Sequence, residues 1–187
     1  YGVEQGPEGY DGARYRSVAF AYHRADPAAS ASDHLDVGDP LSEQQHAYAS
    51  AGASYLPAFA SQFEGERLEP VQSFDGRRET ARTRFRMSLD PANRGAWLRR
   101  VFDAADGVPF PQAETHFGPG QRARVYVDGV LAGIWHSASR NVWRRWREAE
   151  FALPEALCAG KSSVEIEIEP LSAEWSACEY RVWSRVR

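Results

Sequence analysis

The stretch TARTRFRMSLD, residues 80–90, constrains the fold more than any other part of the chain because apolar and polar side chains alternate along it. Alternation with a period of two is typical of a β-strand that has one buried face and one solvated face. One face carries Ala81, Thr83, Phe85, Met87 and Leu89, and the other carries Arg82, Arg84, Arg86 and Ser88. The pattern predicts a half-buried strand.

Two further stretches show the same alternation. RARVYVDGVLAGIW, residues 122–135, predicts a β-hairpin in which Val125 and Val127 point inward and Asp128-Gly129 forms the tight turn. SVEIEIEP, residues 163–170, predicts a strand that ends at Pro170. It would bury Val164, Ile166 and Ile168, and would expose Glu165, Glu167 and Glu169 as a solubilising sheet edge.

The remaining segments add strands and only short helices. YRSVAFAYHR, AWLRRVFD and CEYRVWSRV each predict a strand. Asp39 as N-cap and Pro40 at the first helical position predict one short helix, and LPEALCAGKS predicts another that ends at Gly160. About eight strands with one or two short helices predict an all-β fold, a two-sheet β-sandwich of jelly-roll type.

The N-terminal part of the chain differs from the rest. Residues 1–31 contain a Gly-rich loop, one predicted strand and ADPAASASD, which is typical of a linker. A lone strand is not stable by itself, so this strand either joins the sandwich or ends a preceding jelly roll. We therefore place the jelly-roll domain at residues 32–187 and expect the chain, which begins at Tyr1, to be a piece of a longer protein.

Composition excludes several function classes. Hydrophobic residues make up 43% of the 187 residues, which predicts a true core. The net charge of −4 argues against nucleic-acid binding. No apolar run approaches the ~18 residues that a membrane span requires, so we expect no membrane partner. The histidine and cysteine spacings indicate no cofactor site.

The two cysteines leave two alternatives open. A disulfide between Cys158 and Cys178 would fit an exported protein, and two buried thiols would fit a cytoplasmic one.

The densest cluster of aromatic and basic side chains lies in VYVDGVLAGIWHSASRNVWRRWREAEF, residues 125–151. A sugar presents an apolar C–H face and a rim of hydroxyls, so its site needs an aromatic platform flanked by planar polar groups. The carbohydrate-binding residues predicted on this basis are Trp135, His136, Arg140, Asn141 and Trp143. The alternative is that Trp143 and Trp146 only plug one end of the sandwich, and this alternative is favoured for Trp146.

An acidic segment precedes the first predicted helix. Asp33, Asp36 and Asp39 are closely spaced carboxylates, which suit a structural Ca²⁺ ion. The spacing is not that of an EF-hand loop, and the alternative is that Asp39 only caps the helix.

Taken together, several phrases resemble a known family. YRSVAFAYHR, DHLDVGDPLSEQQHAY, FRMSLDPANRGAWLRRVFD, ARVYVDGVLAGIW, RRWREAEFALPEAL, GKSSVEIEIEP and EYRVWS follow in the order found in the C-terminal jelly-roll region of bacterial proteins related to glycoside hydrolase family 172. The resemblance implies a fold with two jelly rolls and action on furanosides. It also implies that this chain holds the last strand of the first jelly roll and all of the second.

The chain departs from that family at the catalytic segment. The Gly-Thr-Glu-Asp-Tyr-like motif that carries the family's catalytic acids is absent, and GPEGYDG at residues 6–12 is a poor substitute. No family catalytic residue can be assigned to this chain.

These observations predict a non-catalytic β-sandwich portion of a family-172-like protein, in a bacterium, either exported or cytoplasmic. It would contact a furanoside-containing glycan or dock to the catalytic jelly roll. Two alternatives remain: the chain completes a furanosidase active site with a neighbouring domain or chain, or it is a homo-oligomer assembly module with no ligand.

Overall fold

The chain forms antiparallel β-sheets joined by turns and two short helices. A computed structural model describes residues 29–61, 72–104, 120–137, 146–172 and 175–186. The strands within these ranges are β1 (Ala29–Asp36), β2 (Ala49–Ser50), β3 (Ala53–Ser61), β4 (Gln72–Glu79), β5 (Thr83–Ser88), β6 (Ala96–Asp103), β7 (Gln121–Val127), β8 (Val130–Ser137), β9 (Trp146–Leu153), β10 (Ser163–Pro170), β11 (Trp175–Ala177) and β12 (Glu179–Arg185). The helices are α1 (Pro40–Gln45) and α2 (Glu155–Cys158).

Two main sheets enclose the core. One has the strand order β1-β12-β6-β9 and the other β2-β5-β10-β7-β8, and a three-stranded sheet β11-β4-β3 adjoins them. Phe85 of the five-stranded sheet stacks on Tyr180 of the four-stranded sheet, with ring centroids 4.5 Å apart. The core cluster draws fully buried side chains from both sheets, so the two sheets face each other as layers of a sandwich. The predicted all-β sandwich is confirmed.

The alternating stretches form the strands predicted from them. Strand β5 alternates buried and exposed residues from Thr83 to Ser88. In the β7–β8 hairpin, Asp128 and Gly129 adopt φ values of 48° and 78°, which the tight turn requires. Val125 and Val127 are buried as predicted.

The capping prediction for the first helix is also confirmed. Asp39 precedes α1 and its carboxylate accepts hydrogen bonds from the backbone N–H groups of Leu41 and Ser42. Pro40 occupies the first helical position, where its missing N–H costs no hydrogen bond. Helix α2 is a single turn, and Gly160 follows it with a φ of 73°.

The predicted linker is wrong in part. Strand β1 begins at Ala29, ahead of the expected boundary at residue 32, and pairs with β12 along its length. Its small and polar residues resemble a linker because β1 lies at the edge of its sheet and buries few side chains, among them Leu35. The strand predicted at YRSVAFAYHR lies outside the described residues.

The estimate of about eight strands is too low, because twelve lie within the described ranges. The additional strands include β2, β3, β4 and β11, whose sequences show no clear alternation.

Both cysteines are free thiols in the core. Cys158 and Cys178 are 0% and 1% exposed, so the alternative with two buried thiols holds. Burial raises the pKa of both thiols.

The two helices in the described ranges have only six and four residues, so neither could span a bilayer.

Candidate functional site

The predicted aromatic platform is wrong at Trp135. The strand was expected to leave the sheet at this residue, but β8 continues to Ser137, so Trp135 keeps an inward-facing position opposite Ala123. Its side chain is only 2% exposed and contacts Trp175 edge-to-face, with ring centroids 5.5 Å apart. A sugar cannot reach this ring.

A buried arginine lies near Trp135 in the core. The Arg100 guanidinium is fully buried, 3.3 Å from the ring centroid of Trp175 and 5.4 Å from that of Trp135. It donates hydrogen bonds to the Ser137 hydroxyl at 2.6 Å and to the Ser176 carbonyl at 2.8 Å. Burial lowers the pKa of Arg100 to about 9, and the aromatic faces and acceptors replace the water that the cation loses.

Of the other predicted sugar-binding residues, one lies at the surface and three fall outside the described residues. His136 is exposed and lies opposite Arg122 in the β7–β8 ladder. Arg140, Asn141 and Trp143 fall in residues 138–145, outside the described residues.

Trp146, for which a packing role was favoured, is half-buried at the start of β9. Its ring makes an edge contact with Phe74, with centroids 5.4 Å apart. This contact is in line with the packing role.

The carboxylates of the three aspartates predicted as calcium ligands either accept hydrogen bonds within the protein or lie near other carboxylates. Burial alone would raise the pKa of Asp33, but hydrogen bonds from the Ser88 backbone at 2.6 Å and from His46 at 3.2 Å outweigh it, and the pKa is lowered. Asp39 caps α1, and burial and nearby carboxylates raise the pKa of Asp36. Among the described residues, no three His, Cys, Asp or Glu side chains are grouped to hold a metal ion. The calcium site stays a prediction.

The outer surface of the five-stranded sheet carries two rows of arginines on either side of one row of glutamates, an arrangement that the sequence alone did not show. We call it the arginine–glutamate face. It consists of Arg82, Arg84, Arg86, Arg122, Arg124, Tyr126, Glu165, Glu167 and Glu169. Strand β10 lies between β5 and β7, so the expectation that its glutamates form a sheet edge is wrong. They lie in the middle of the sheet, flanked by arginines.

Arg82 organises the central part of this face. Its guanidinium lies 3.3 Å from the Glu167 carboxylate and 3.4 Å from that of Glu169, and it stacks 4.7 Å from the ring centroid of Tyr126. Glu169 also accepts a hydrogen bond from the Tyr126 hydroxyl at 2.8 Å and pairs with Arg124 at 3.3 Å. The Tyr126 hydrogen bond and the two arginines lower the pKa of Glu169. These contacts therefore orient the guanidinium of Arg82 and the carboxylate of Glu169 on the face.

An open pocket of about 390 Å³ lies where this face meets β2. It is lined by Ala49, Ser50, Ala51, Arg82, Thr83, Arg84 and Glu167. Ala49 pairs with Arg84 and Ser50 pairs with Thr83, and residues directly opposite each other in a ladder point to the same side of the sheet. Thr83 is buried and Arg84 is exposed, so the alanine–arginine pair faces outward into the pocket.

Behind the pocket, Glu79 lies in the core with a side chain that is 1% exposed. It accepts hydrogen bonds from the hydroxyls of Tyr48, Ser50 and Thr83. Burial raises the pKa of Glu79 to about 7, with Glu43 adding repulsion and the Thr83 hydroxyl opposing the increase. Ser50 and Thr83 line the pocket too, but their hydroxyls are bonded to Glu79, so the other groups that the pocket offers are two guanidinium groups, one carboxylate and two alanine methyl groups.

Part of this site could be predicted from the sequence. Alternation correctly placed Arg82, Arg84 and Glu167 on solvated strand faces. It missed Ala49 and Ala51 because β2 is only two residues long and carries no period. Only the pairing of β2 with β5 brings these alanines to the arginines.

Comparisons with known proteins give a likeness of fold. No protein-family model matches the chain, and no curated protein matches it. A family 35 carbohydrate-binding module from an environmental isolate is 14% identical with a TM-score of 0.50, over 80% of this chain and 90% of that one. A module of Cellvibrio mixtus lichenase 5A, solved in complex with cellotriose, is 10% identical with a TM-score of 0.45, over 82% of this chain and 97% of that one. The first likeness confirms the β-sandwich of jelly-roll type.

Proposed function

We propose that this domain is a non-catalytic carbohydrate-binding module and that the pocket between β2 and the arginine–glutamate face binds the sugar. The observation that carries the proposal is the composition of that pocket. It presents two guanidinium groups, one carboxylate and two methyl groups in an open volume of about 390 Å³. The fold shared with a family 35 module supports the proposal without assigning a ligand.

The chemistry of the pocket suits a sugar. Guanidinium groups donate hydrogen bonds in a planar fork and carboxylates accept them, which matches the hydroxyl rim of a pyranose or furanose ring. Ala49 and Ala51 leave room for the apolar C–H face of the ring. Because Arg82 is fixed by Glu167, Glu169 and Tyr126, little side-chain freedom is lost when a sugar binds.

The same geometry argues against catalysis at this pocket. Glycoside hydrolysis needs one carboxylic acid with a raised pKa to protonate the leaving group. Glu167 of the pocket is paired with Arg82, and Glu79, whose pKa is raised to about 7, is only 1% exposed and does not reach a sugar in the pocket. We therefore propose binding without bond cleavage.

Further sugar contacts, the preference among sugars and the docking partner are proposed from the sequence. His136 is exposed opposite Arg122, and the proposal includes it, with Arg140, Asn141 and Trp143, as a further set of sugar-contacting residues. The resemblance to family-172 proteins adds a preference for furanosides and docking to a catalytic jelly roll.

Calorimetric titration with arabinan, fructan and galactan fragments tests the proposal. Ala49→Trp fills the pocket and is expected to abolish saturable binding. Ala152→Trp is the matched control, because Ala152 is an exposed strand residue on the other main sheet. Loss of binding only in the first variant, with intact glycan recovered afterwards, supports the proposal, and binding that survives Ala49→Trp contradicts the pocket assignment.

A second candidate function is assembly, which the outer edge of β8 favours. Val130, Leu131 and Ile134 are each more than half exposed, and β8 ends its sheet within the described ranges. An edge strand with exposed apolar side chains is a site for pairing with another chain. Light scattering of the protein and of Ile134→Lys tests this function: a dimer that the variant dissociates supports it, and a monomer at all concentrations contradicts it.

A further inference from the structure

We propose that the pocket selects a glycan that carries an acidic group, a carboxylate or a sulfate, and that Arg84 binds this group. The inference rests on the proposed carbohydrate-binding function and adds the class of sugar. Three observations on the arginine–glutamate face carry it.

The first observation is the sign of the charge on this face. Its five arginines and three glutamates leave an excess of two positive charges, whereas the whole chain has a net charge of −4. A cationic face on an acidic protein attracts anionic ligands over a distance of about one Debye length, roughly 8–10 Å at moderate salt.

The second observation is that Arg84 is not engaged. Within the described ranges it makes no ion pair and no side-chain hydrogen bond, although it lies directly opposite Glu167. The Glu167 carboxylate lies 3.3 Å from Arg82 instead. The Arg84 fork is therefore free to bind a carboxylate or sulfate through two parallel hydrogen bonds.

The third observation is the asymmetry of the pocket. On one side of Arg84 lies Ala49, whose methyl group neither blocks nor neutralises the guanidinium. On the other side lies Glu167, which repels a second anion and accepts hydrogen bonds from hydroxyls. The acidic group of the sugar therefore lies over Arg84 toward Ala49, and its neighbouring hydroxyls lie toward Glu167.

The glutamates also limit which polyanions are suitable. Glu165, Glu167 and Glu169 run along the middle of the face, where a phosphodiester backbone would meet three like charges. A sugar that pairs each acidic group with several hydroxyls avoids this repulsion. This arrangement favours an acidic glycan over a nucleic acid.

Calorimetry with three galactose-based oligomers of equal length tests the inference: oligogalacturonate, a sulfated galactan fragment and neutral galactan. We expect at least one acidic oligomer to bind about tenfold more tightly than the neutral one, and this advantage to shrink as salt rises. Arg84→Gln is expected to remove the advantage, so that acidic and neutral oligomers then bind with equal affinity. The control is Arg94→Gln, which removes the same charge from an exposed residue in the turn before β6.

The outcomes separate the inference from the function on which it rests. Equal affinity for acidic and neutral oligomers, or an acidic preference that survives Arg84→Gln, overturns the inference and leaves carbohydrate binding intact. A preference lost equally in Arg94→Gln also overturns it, because the effect is then one of net charge only. No binding to any glycan, in a protein shown to be folded, overturns the proposed function itself. A preference for only the carboxylate or only the sulfate oligomer supports the inference and names the acidic group.

Discussion

The substitution Glu79→Gln tests quantitatively whether burial in the core keeps Glu79 protonated in the native state. Its side chain is 1% exposed, and burial raises its pKa from 4.5 to about 7. At pH values between these two, the native state keeps the proton that the unfolded chain has already lost. The protonated carboxyl therefore stabilises the fold fully below about pH 4.5, and this contribution is lost as the pH rises through about 7.

The size of the effect follows from the two pKa values. The difference between 4.5 and about 7, at about 1.4 kcal/mol per pH unit, gives about 3 kcal/mol. Glutamine has nearly the same shape and does not titrate. Relative to Glu79→Gln, the wild-type protein is therefore expected to lose about 3 kcal/mol of unfolding free energy between pH 4.5 and pH 8.

Urea denaturation followed by tryptophan fluorescence measures this difference at a series of pH values. Titrating groups that do not interact with Glu79 affect both proteins equally, so the difference between them reports Glu79 together with its repulsion from Glu43. A difference that stays constant across the range, or one in which the wild-type protein gains stability as the pH rises, would refute the reasoning.

Three other predictions concern the core. Arg100→Leu is expected to cost about 3 kcal/mol of unfolding free energy, because it leaves buried acceptors without a donor, and thermal denaturation measures this loss. Gly76→Ala would place its Cβ against the backbone carbonyl oxygen of Ala177 and is expected to cost about 3 kcal/mol. In Gly129→Ala the Cβ meets nothing within 4 Å, so only the positive φ contributes, about 1 kcal/mol. Equal melting temperatures for the two variants would contradict the packing. Cys158 and Cys178 are expected to react with a thiol reagent only after unfolding, and rapid reaction of the native protein would contradict their burial.

Alternation along the chain was sufficient to predict the strands with one buried face. Strands β5 and β10 and the β7–β8 hairpin follow from it because their buried positions hold large apolar side chains and their turn holds Asp128-Gly129. Strand β1 could not be predicted this way, since an edge strand rich in alanine and serine has the composition of a linker.

The candidate site is formed by the pairing of particular strands, and local sequence patterns do not show which strands pair. The sequence showed that Arg84 and Glu167 are solvated, but it did not show that they lie opposite each other on neighbouring strands. Trp135 was misjudged for a similar reason. Its ring is buried because β8 continues to Ser137 and keeps Trp135 on the inward face, where it packs against Trp175 and lies near Arg100 of another sheet.

The most direct test of the proposed function is a crystal structure of the complex with the glycan fragment that binds most tightly in the titrations. We expect a sugar ring in the pocket over Ala49, with its acidic group within hydrogen-bonding distance of the Arg84 guanidinium. A sugar bound only at residues 138–145, with the pocket between β2 and the arginine–glutamate face unchanged, would contradict it.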